Sequence, residues 1–371
     1  MAMFIVKPWY RKKDDAIYGA EWAGGSDPSW VRTDAAVGFA SPNPYYSGMS
    51  TTPSSPFDNI MPWAGMRRVT DASAGELVEI PKFYYKWTRN GSAMKLQISM
   101  TAFDGSYVSP AHADRGDGVG ERDYVYIGRY HCASDYKSKT GVSPKQGYYA
   151  DFISNVHNLS SYTNVQDYAI RWTILMLYLV EYANWNSQAM IGDGGGSLVN
   201  SGLTDTMPYH TGTMKSNRTT SGAGIQYRYV EDLWANGHEF LSGIIIDNSG
   251  HFRIINNPND LNNYTDTSKS IDTGIVASGS SGYIKSWSNN SSITHLEYFI
   301  YPTQGGGSGK TYVTDYHSSM GTNQVIMTGG AVNASPNDIS GLFLFVNQSW
   351  ASSGDARGTR LMVLPPSRLS A

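Results

Sequence analysis

Gly329 to Pro365 reads GGAVNASPNDISGLFLFVNQSWASSGDARGTRLMVLP, and two layers are superposed in it. The first is a strand framework: Gly341-Leu342-Phe343-Leu344-Phe345-Val346, and later Gly358-Thr359-Arg360-Leu361-Met362-Val363-Leu364, both apolar and β-prone. The second layer is small or polar. Ala331, Asn333, Ser335, Asn337, Asp338, Asn347, Gln348, Ser352 and Gly354 have little helix or strand preference and suit ligand contact. A rigid support carrying a contact surface is the expectation.

Upstream of this stretch, Leu296 to Tyr301 and Gln324-Val325-Ile326-Met327 are apolar, and Gly305-Gly306-Gly307-Ser308-Gly309 makes a loop between them. Residues 256 to 295 are rich in Asn, Ser, Thr and Gly but punctuated by Tyr264, Ile275, Tyr283 and Trp287, which predicts a surface insertion with short strands. Two helices are expected further back, Gly147 to Leu159 and Val165 to Gln188. In the second, Tyr168, Trp172, Leu175, Leu179 and Tyr182 recur at four- and three-residue steps, one stripe facing a core. The glycine run Gly192 to Gly196 then reads as the stop of that helix. A phosphate-cradling loop would need those glycines before a helix, so nucleotide binding is not expected.

Strand patterns fill Glu76 to Ser109, with Asn90-Gly91 as a hairpin signal between Phe83-Tyr84-Tyr85-Lys86-Trp87 and Met94-Lys95-Leu96-Gln97-Ile98-Ser99-Met100. Residues 1 to 75 are Pro-, Gly-, Ser- and Trp-rich and read as a small loop and β module with Trp9, Trp22, Trp30 and Trp63 at its core. Residues 76 to 371 are expected to form the main domain.

Composition narrows the function classes. The chain has 371 residues, a net charge of −3 and only 16% charged residues, so no basic field is present to hold nucleic acid. With 26 Tyr, 10 Trp and 39 Gly it has the palette of adaptable binding surfaces. Cys132 is the single cysteine, which excludes a disulfide framework within the chain and a four-cysteine zinc site. No apolar run approaches bilayer length, and the run at Phe4-Ile5-Val6 is too short for a secretory signal.

Two helices inside a largely β chain, the segment Leu233-Trp234-Ala235-Asn236-Gly237-His238-Glu239-Phe240, and a terminal Gly-Gly…Gly-Leu-Phe…Gly-x-Arg-Leu run occur in that order. From about residue 76 onward this resembles the C-type-lectin-like fold shared by formylglycine-generating proteins and the variable proteins of diversity-generating retroelements, including phage receptor-binding proteins of the tropism-determinant type. Ser138-Lys139-Thr140-Gly141, Leu177 to Gln188 and Tyr227 to Trp234 join the pattern. The resemblance implies an α+β class with two helices packed on antiparallel sheets. It implies a framework of Gly329, Gly330, Gly341, Leu342, Gly358 and Arg360. Receptor-contacting, variable positions would be drawn from Ala331, Asn333, Ser335, Asn337, Asp338, Phe343, Phe345, Asn347, Gln348, Trp350, Ser352, Gly354 and Ala356. Trp350, an aromatic among small polar residues, stands out as an anchor.

The same resemblance implies a virion component at a tail tip or fibre, binding a host cell-surface protein or glycan. Other tail proteins would be held through residues 1 to 75, and a homotrimer would suit multivalent display. Neither nucleic acid nor membrane insertion is implied. A bacterial surface adhesin is the main rival, and a fold-related metal oxidase the lesser one.

The copper-dependent oxidases of this fold use a cysteine pair, and only Cys132 is present; the eight histidines lack HxH or HExxH spacing. No enzymatic activity, cofactor or metal is therefore expected. Asp114, Asp117, Glu121 and Asp123 offer oxygen ligands without EF-hand spacing and read as a polar turn partnered by Arg115 and Arg122. Asp232 and Glu239 are a conceivable carboxylate pair for glycoside cleavage, but the stretch from Glu231 to Glu239 reads more simply as a structural tie for the Trp234 loop.

Overall fold

The computed structural model describes residues 15–195, 198–277, 279–290, 300–330, 340–349 and 357–369, and for 340–348 it describes the backbone course. Within these residues the chain is mostly β-sheet with few helices, an α+β class. One sheet has the order β2 (Val31–Asp34), β1 (Tyr18–Trp22), β7 (Ala93–Ser99), β6 (Tyr84–Asn90), β8 (Tyr107–Val108). A second runs β10 (Thr163–Val165), β23 (Leu361–Val363), β9 (Tyr124–Gly128), β5 (Gly75–Pro81), β4 (Arg67–Asp71). A small third sheet is β13 (Val230–Glu231), β12 (Ile225–Tyr227), β11 (Gly212–Thr213), β3 (Tyr45–Tyr46). The largest runs β16 (Ile271–Val276), β15 (His251–Ile254), β14 (His238–Ile246), β20 (Gln324–Gly330), β21 (Ser340–Ser349), β19 (Tyr316–His317), β17 (Gly282–Ser288), β18 (Tyr301–Gly305), with β22 (Arg357–Gly358) on β14.

The hairpin expected at Asn90-Gly91 is present, Asn90 pairing with Ala93 across a two-residue turn. Helix α1 covers Tyr149–His157 and α2 covers Tyr168–Tyr182. Asp167 caps α2 by accepting from the Ile170 amide at 2.9 Å. The expectation of a single apolar stripe fails for α2: all fifteen of its residues are buried. The helix contacts β1 and β7 on one side and β14 on the other, so no face is left for water.

One expected boundary also moves. The second helix stops at Tyr182, ten residues before Gly192, with Ala183 in the left-handed region at φ 49°. The chain leaves the helix there because the N-terminal segment captures it: Trp30 donates to the Ala183 carbonyl at 2.8 Å and Trp185 to the Pro28 carbonyl at 2.9 Å. A separate short helix, α3 (Ser187–Met190), follows. Residue 75, where the sequence reading divides the chain, lies in the hairpin formed by β4 and β5.

Residues 15–75 share the principal core. β1 pairs with β7, and Trp22 and Trp30 pack edge-on against Trp185 with centroids at 5.7 and 5.1 Å. The Trp63 indole donates to the Leu177 carbonyl at 3.0 Å, while Trp9 lies outside the described residues. No helix among the described residues is long and apolar enough to cross a membrane.

At the centre of this aromatic core, Trp172 is 1% exposed and meets the rings of Trp87 and Trp287 at 5.9 and 6.3 Å. Trp172→Ala is expected to remove about 3–5 kcal/mol of stability, read as a lower midpoint in urea unfolding; a loss under about 1 kcal/mol would mean that the helix is not packed from both sides.

Candidate functional site

The C-terminal framework is fixed by one buried carboxylate. β14 carries Glu239 into the interior, where it is fully buried. Arg360, also fully buried, donates from Nε to Glu239 Oε1 at 2.6 Å and pairs with the same oxygen through Nη2. His131 Nε2 lies 2.9 Å from Oε1, Gln166 donates to Oε2 at 2.9 Å and Arg171 approaches Oε2 at 3.5 Å. Burial by itself would raise the Glu239 carboxyl; the charges of Arg360, His131 and Arg171 outweigh it and hold the group well below the ordinary carboxylate range.

Arg360 also organises the backbone around it. Its Nη1 donates to the carbonyls of Gly128 and Arg129 at 3.1 and 3.2 Å, and its Nη2 to those of Glu231 and Asp232 at 2.9 and 3.2 Å. Arg171 Nη2, from α2, donates to the Leu233 carbonyl at 2.7 Å. The stretch from Glu231 to Glu239, β9, α2 and the C-terminal strands thus meet at one ion cluster. This is the structural tie that the sequence suggests for that stretch, and it consumes Glu239. Asp232 is buried too, accepting from the Gly224 and Ile225 amides at 2.8 and 3.1 Å; burial, then the Glu231 charge, push its carboxyl upward.

Two framework glycines have steric reasons. Gly329 sits at φ 88°, and a side chain there would meet the Gly237 and Leu233 carbonyls at 3.3 and 3.4 Å. At Gly358 a Cβ would lie 2.7 Å from the Lys145 carbonyl oxygen. At Gly358 the close backbone leaves room for hydrogen only, while at Gly329 the positive φ adds to a tight fit. Gly329 pairs with Gly341, and Gly330 with Ser340, at one end of the β20–β21 ladder; Gln324 pairs with Ser349 at the other.

Of the expected contact positions, four lie on β21: Phe343, Phe345, Asn347 and Gln348. Phe345 is opposite His317, Asn347 opposite Ile326 and Gln348 opposite Val325. Ala331, Asn333, Ser335, Asn337, Asp338, Trp350, Ser352, Gly354 and Ala356 lie outside the described residues. The described residues that flank them, Gly330, Ser340, Ser349 and Arg357, all belong to strands of the largest sheet.

Among the other singled-out residues, Arg122 pairs with Asp117 as expected, whereas Arg115 does not serve its own loop. It reaches Asp167 at 2.6 Å and donates to the Asn256 carbonyl at 2.7 Å, because the buried α2 cap is a stronger demand than a solvated turn. Glu121 and Asp123 turn to Lys82 at 3.5 and 2.7 Å. Among the described residues, no group of three or more His, Cys, Asp or Glu is placed to hold a metal ion. Cys132 is buried, and burial raises its thiol.

A second buried cluster had no counterpart in the sequence reading. Arg228, held at φ 42°, makes a two-pronged pair with Glu181 at 2.7 and 2.8 Å, and Ser55 and Tyr227 donate to the same carboxylate at 2.7 and 3.0 Å. Asp58 and His210 meet beside it at 2.8 Å. The only signal in the sequence was a charged residue inside an apolar helix, Glu181. No protein-family model matches the chain, and no curated protein matches it.

Removing one member of the Glu239 cluster strands the others. Arg360→Met and Glu239→Gln are each expected to cost about 3–5 kcal/mol, and the double variant less than their sum. The Glu239 carboxyl is depressed in the folded state from its ordinary value of 4.5. Its contribution is therefore complete above that value and lost as pH falls below it. Urea unfolding from neutral pH down to about 3 should show Glu239→Gln with a shallower fall in stability over that acid range; an unchanged slope would refute the assignment.

Proposed function

We propose that this chain adopts a C-type-lectin-like fold and acts, without catalysis, as a phage receptor-binding protein at a tail tip or fibre. In this proposal it contacts a host cell-surface ligand through a C-terminal face whose side chains a retroelement diversifies. The observation that carries the proposal is the anchoring of that region. Gly330, Ser340, Ser349 and Arg357, which bracket the segments 331–339 and 350–356, belong to paired strands, and Arg360 beyond them is locked onto Glu239. A mount of this kind is suited to carrying replaceable side chains between its anchors. Binding specificity then changes while the backbone stays.

Residues 1–75 would serve attachment to other virion proteins, and a homotrimer would raise the effective concentration of weak individual contacts. The contact list comprises the thirteen positions named from the resemblance, with Trp350 as the anchor.

The test is direct. Purified protein should bind cells of a susceptible bacterial host, and Trp350→Ala should weaken that binding by about tenfold or more while the thermal midpoint is unchanged. A near-repeat of the DNA for residues 329–364, differing at adenines and lying beside a reverse transcriptase gene, is expected in the source genome. Related copies varying evenly along their length would sink the diversification proposal.

A further inference from the structure

Two neighbouring clefts flank the 3-10 turn Pro258–Asn263. One, of about 210 Å³, is lined by Asp117, Arg122, Tyr162, Asn164 and Asn259 among others. The other, of about 330 Å³, includes His157, Asn158, Asn262 and Tyr264. A hydrogen bond joins their walls, His157 Nδ1 to Asn164 Oδ1 at 3.1 Å.

The rim is built and held. Arg115 donates to the Asn256 carbonyl at 2.7 Å, Asn257 to Gly116 at 3.1 Å and Asn259 to Asp117 at 3.4 Å, so the 114–123 loop and the turn are stitched together. Arg122, nearly fully buried, donates to the Leu364 carbonyl at 3.2 Å and pairs with Asp117. Each cleft has one aromatic ring. Tyr162 is 41% exposed, and its backbone is fixed by the Leu364 amide at 2.9 Å. Tyr264 is half-buried and set edge-on against Tyr149 at 4.8 Å.

We propose that these clefts form a two-subsite binding groove for a neutral oligosaccharide. Side-chain amides are both donors and acceptors, which matches the paired donor and acceptor character of sugar hydroxyls, and Asn158, Asn164, Asn259 and Asn262 distribute them along the groove. A tyrosine face offers each subsite an apolar platform for the ring hydrogens of a pyranose. The two formal charges, on Asp117 and Arg122, are spent on each other, which favours a neutral ligand over an acidic one. The volumes are at or below the lower end of the about 300–1,000 Å³ typical of larger ligands, consistent with one sugar residue per cleft. Because the rim, the Tyr264 ring and the backbone at Tyr162 are held before any ligand arrives, little ordering opposes binding.

No residue lining the groove belongs to the proposed C-terminal contact positions. The full chain applied to an array of neutral and acidic oligosaccharides should capture neutral ones. Titration of the best binder against Tyr162→Ala, Asn259→Ala and Asn262→Ala should then show affinity lowered about tenfold or more with unchanged thermal midpoints. No capture, capture of acidic glycans alone, or affinity indifferent to these three substitutions would overturn the groove. Loss with Trp350→Ala and retention with Tyr162→Ala would move the sugar to the C-terminal face, overturning the groove while leaving the receptor-binding proposal standing.

Discussion

One desolvated carboxylate organises the interior of this protein. Glu239 has no access to water, so its charge must be met by donors from the chain. Those donors come from three distant places: His131 after β9, Gln166 and Arg171 around the start of α2, and Arg360 before β23. A buried ion cluster of this kind adds little net stability over an apolar core of the same volume, yet it is costly to leave incomplete. Its effect is to demand one arrangement of four segments. The carbonyls that Arg360 collects from Gly128, Arg129, Glu231 and Asp232 extend the same demand to the backbone.

Helix α2 is the second constraint, and it is linked to the first. It lies between the sheet carrying β1 and β7 and the sheet carrying β14, and the strand bulge after Leu241 brings Ser242 within 2.9 Å of the Val165 carbonyl just before the helix. Its two ionised residues point to opposite clusters, Arg171 to Glu239 and Glu181 to Arg228. The N-terminal tryptophans close the same core around its far end. For these reasons residues 15–75 and the C-terminal strands, far apart in sequence, depend on one helix.

These two constraints leave the periphery free. The terminal strands are pinned from behind by Arg360, by the Lys145 carbonyl against Gly358 and by the positive φ of Gly329. The groove at Pro258–Asn263 is a different kind of surface, with its rim fixed by hydrogen bonds from the 114–123 loop. A protein with both would combine one surface open to change with one that stays constant.

Local pattern was enough for the elements whose signals are local. The Asn90-Gly91 hairpin, both long helices and the apolar terminal strands were legible because turn geometry and periodicity are written in adjacent residues; the glycines of the terminal run were named through resemblance, and their close contacts, Lys145 against Gly358 among them, come from distant segments. The candidate contact positions rest on the resemblance, and of them Phe343, Phe345, Asn347 and Gln348 lie on β21. What the sequence could not carry was partnership. That α2 is buried on every side, that it ends at Ala183 through capture by Trp30, that Arg115 serves Asp167, and that Glu181 meets Arg228 all involve residues far apart in the chain. The sequence by itself determined which segments are strand, helix and turn; the tertiary structure decided which charges are buried together, because desolvation is a property of the assembled interior and of no single stretch.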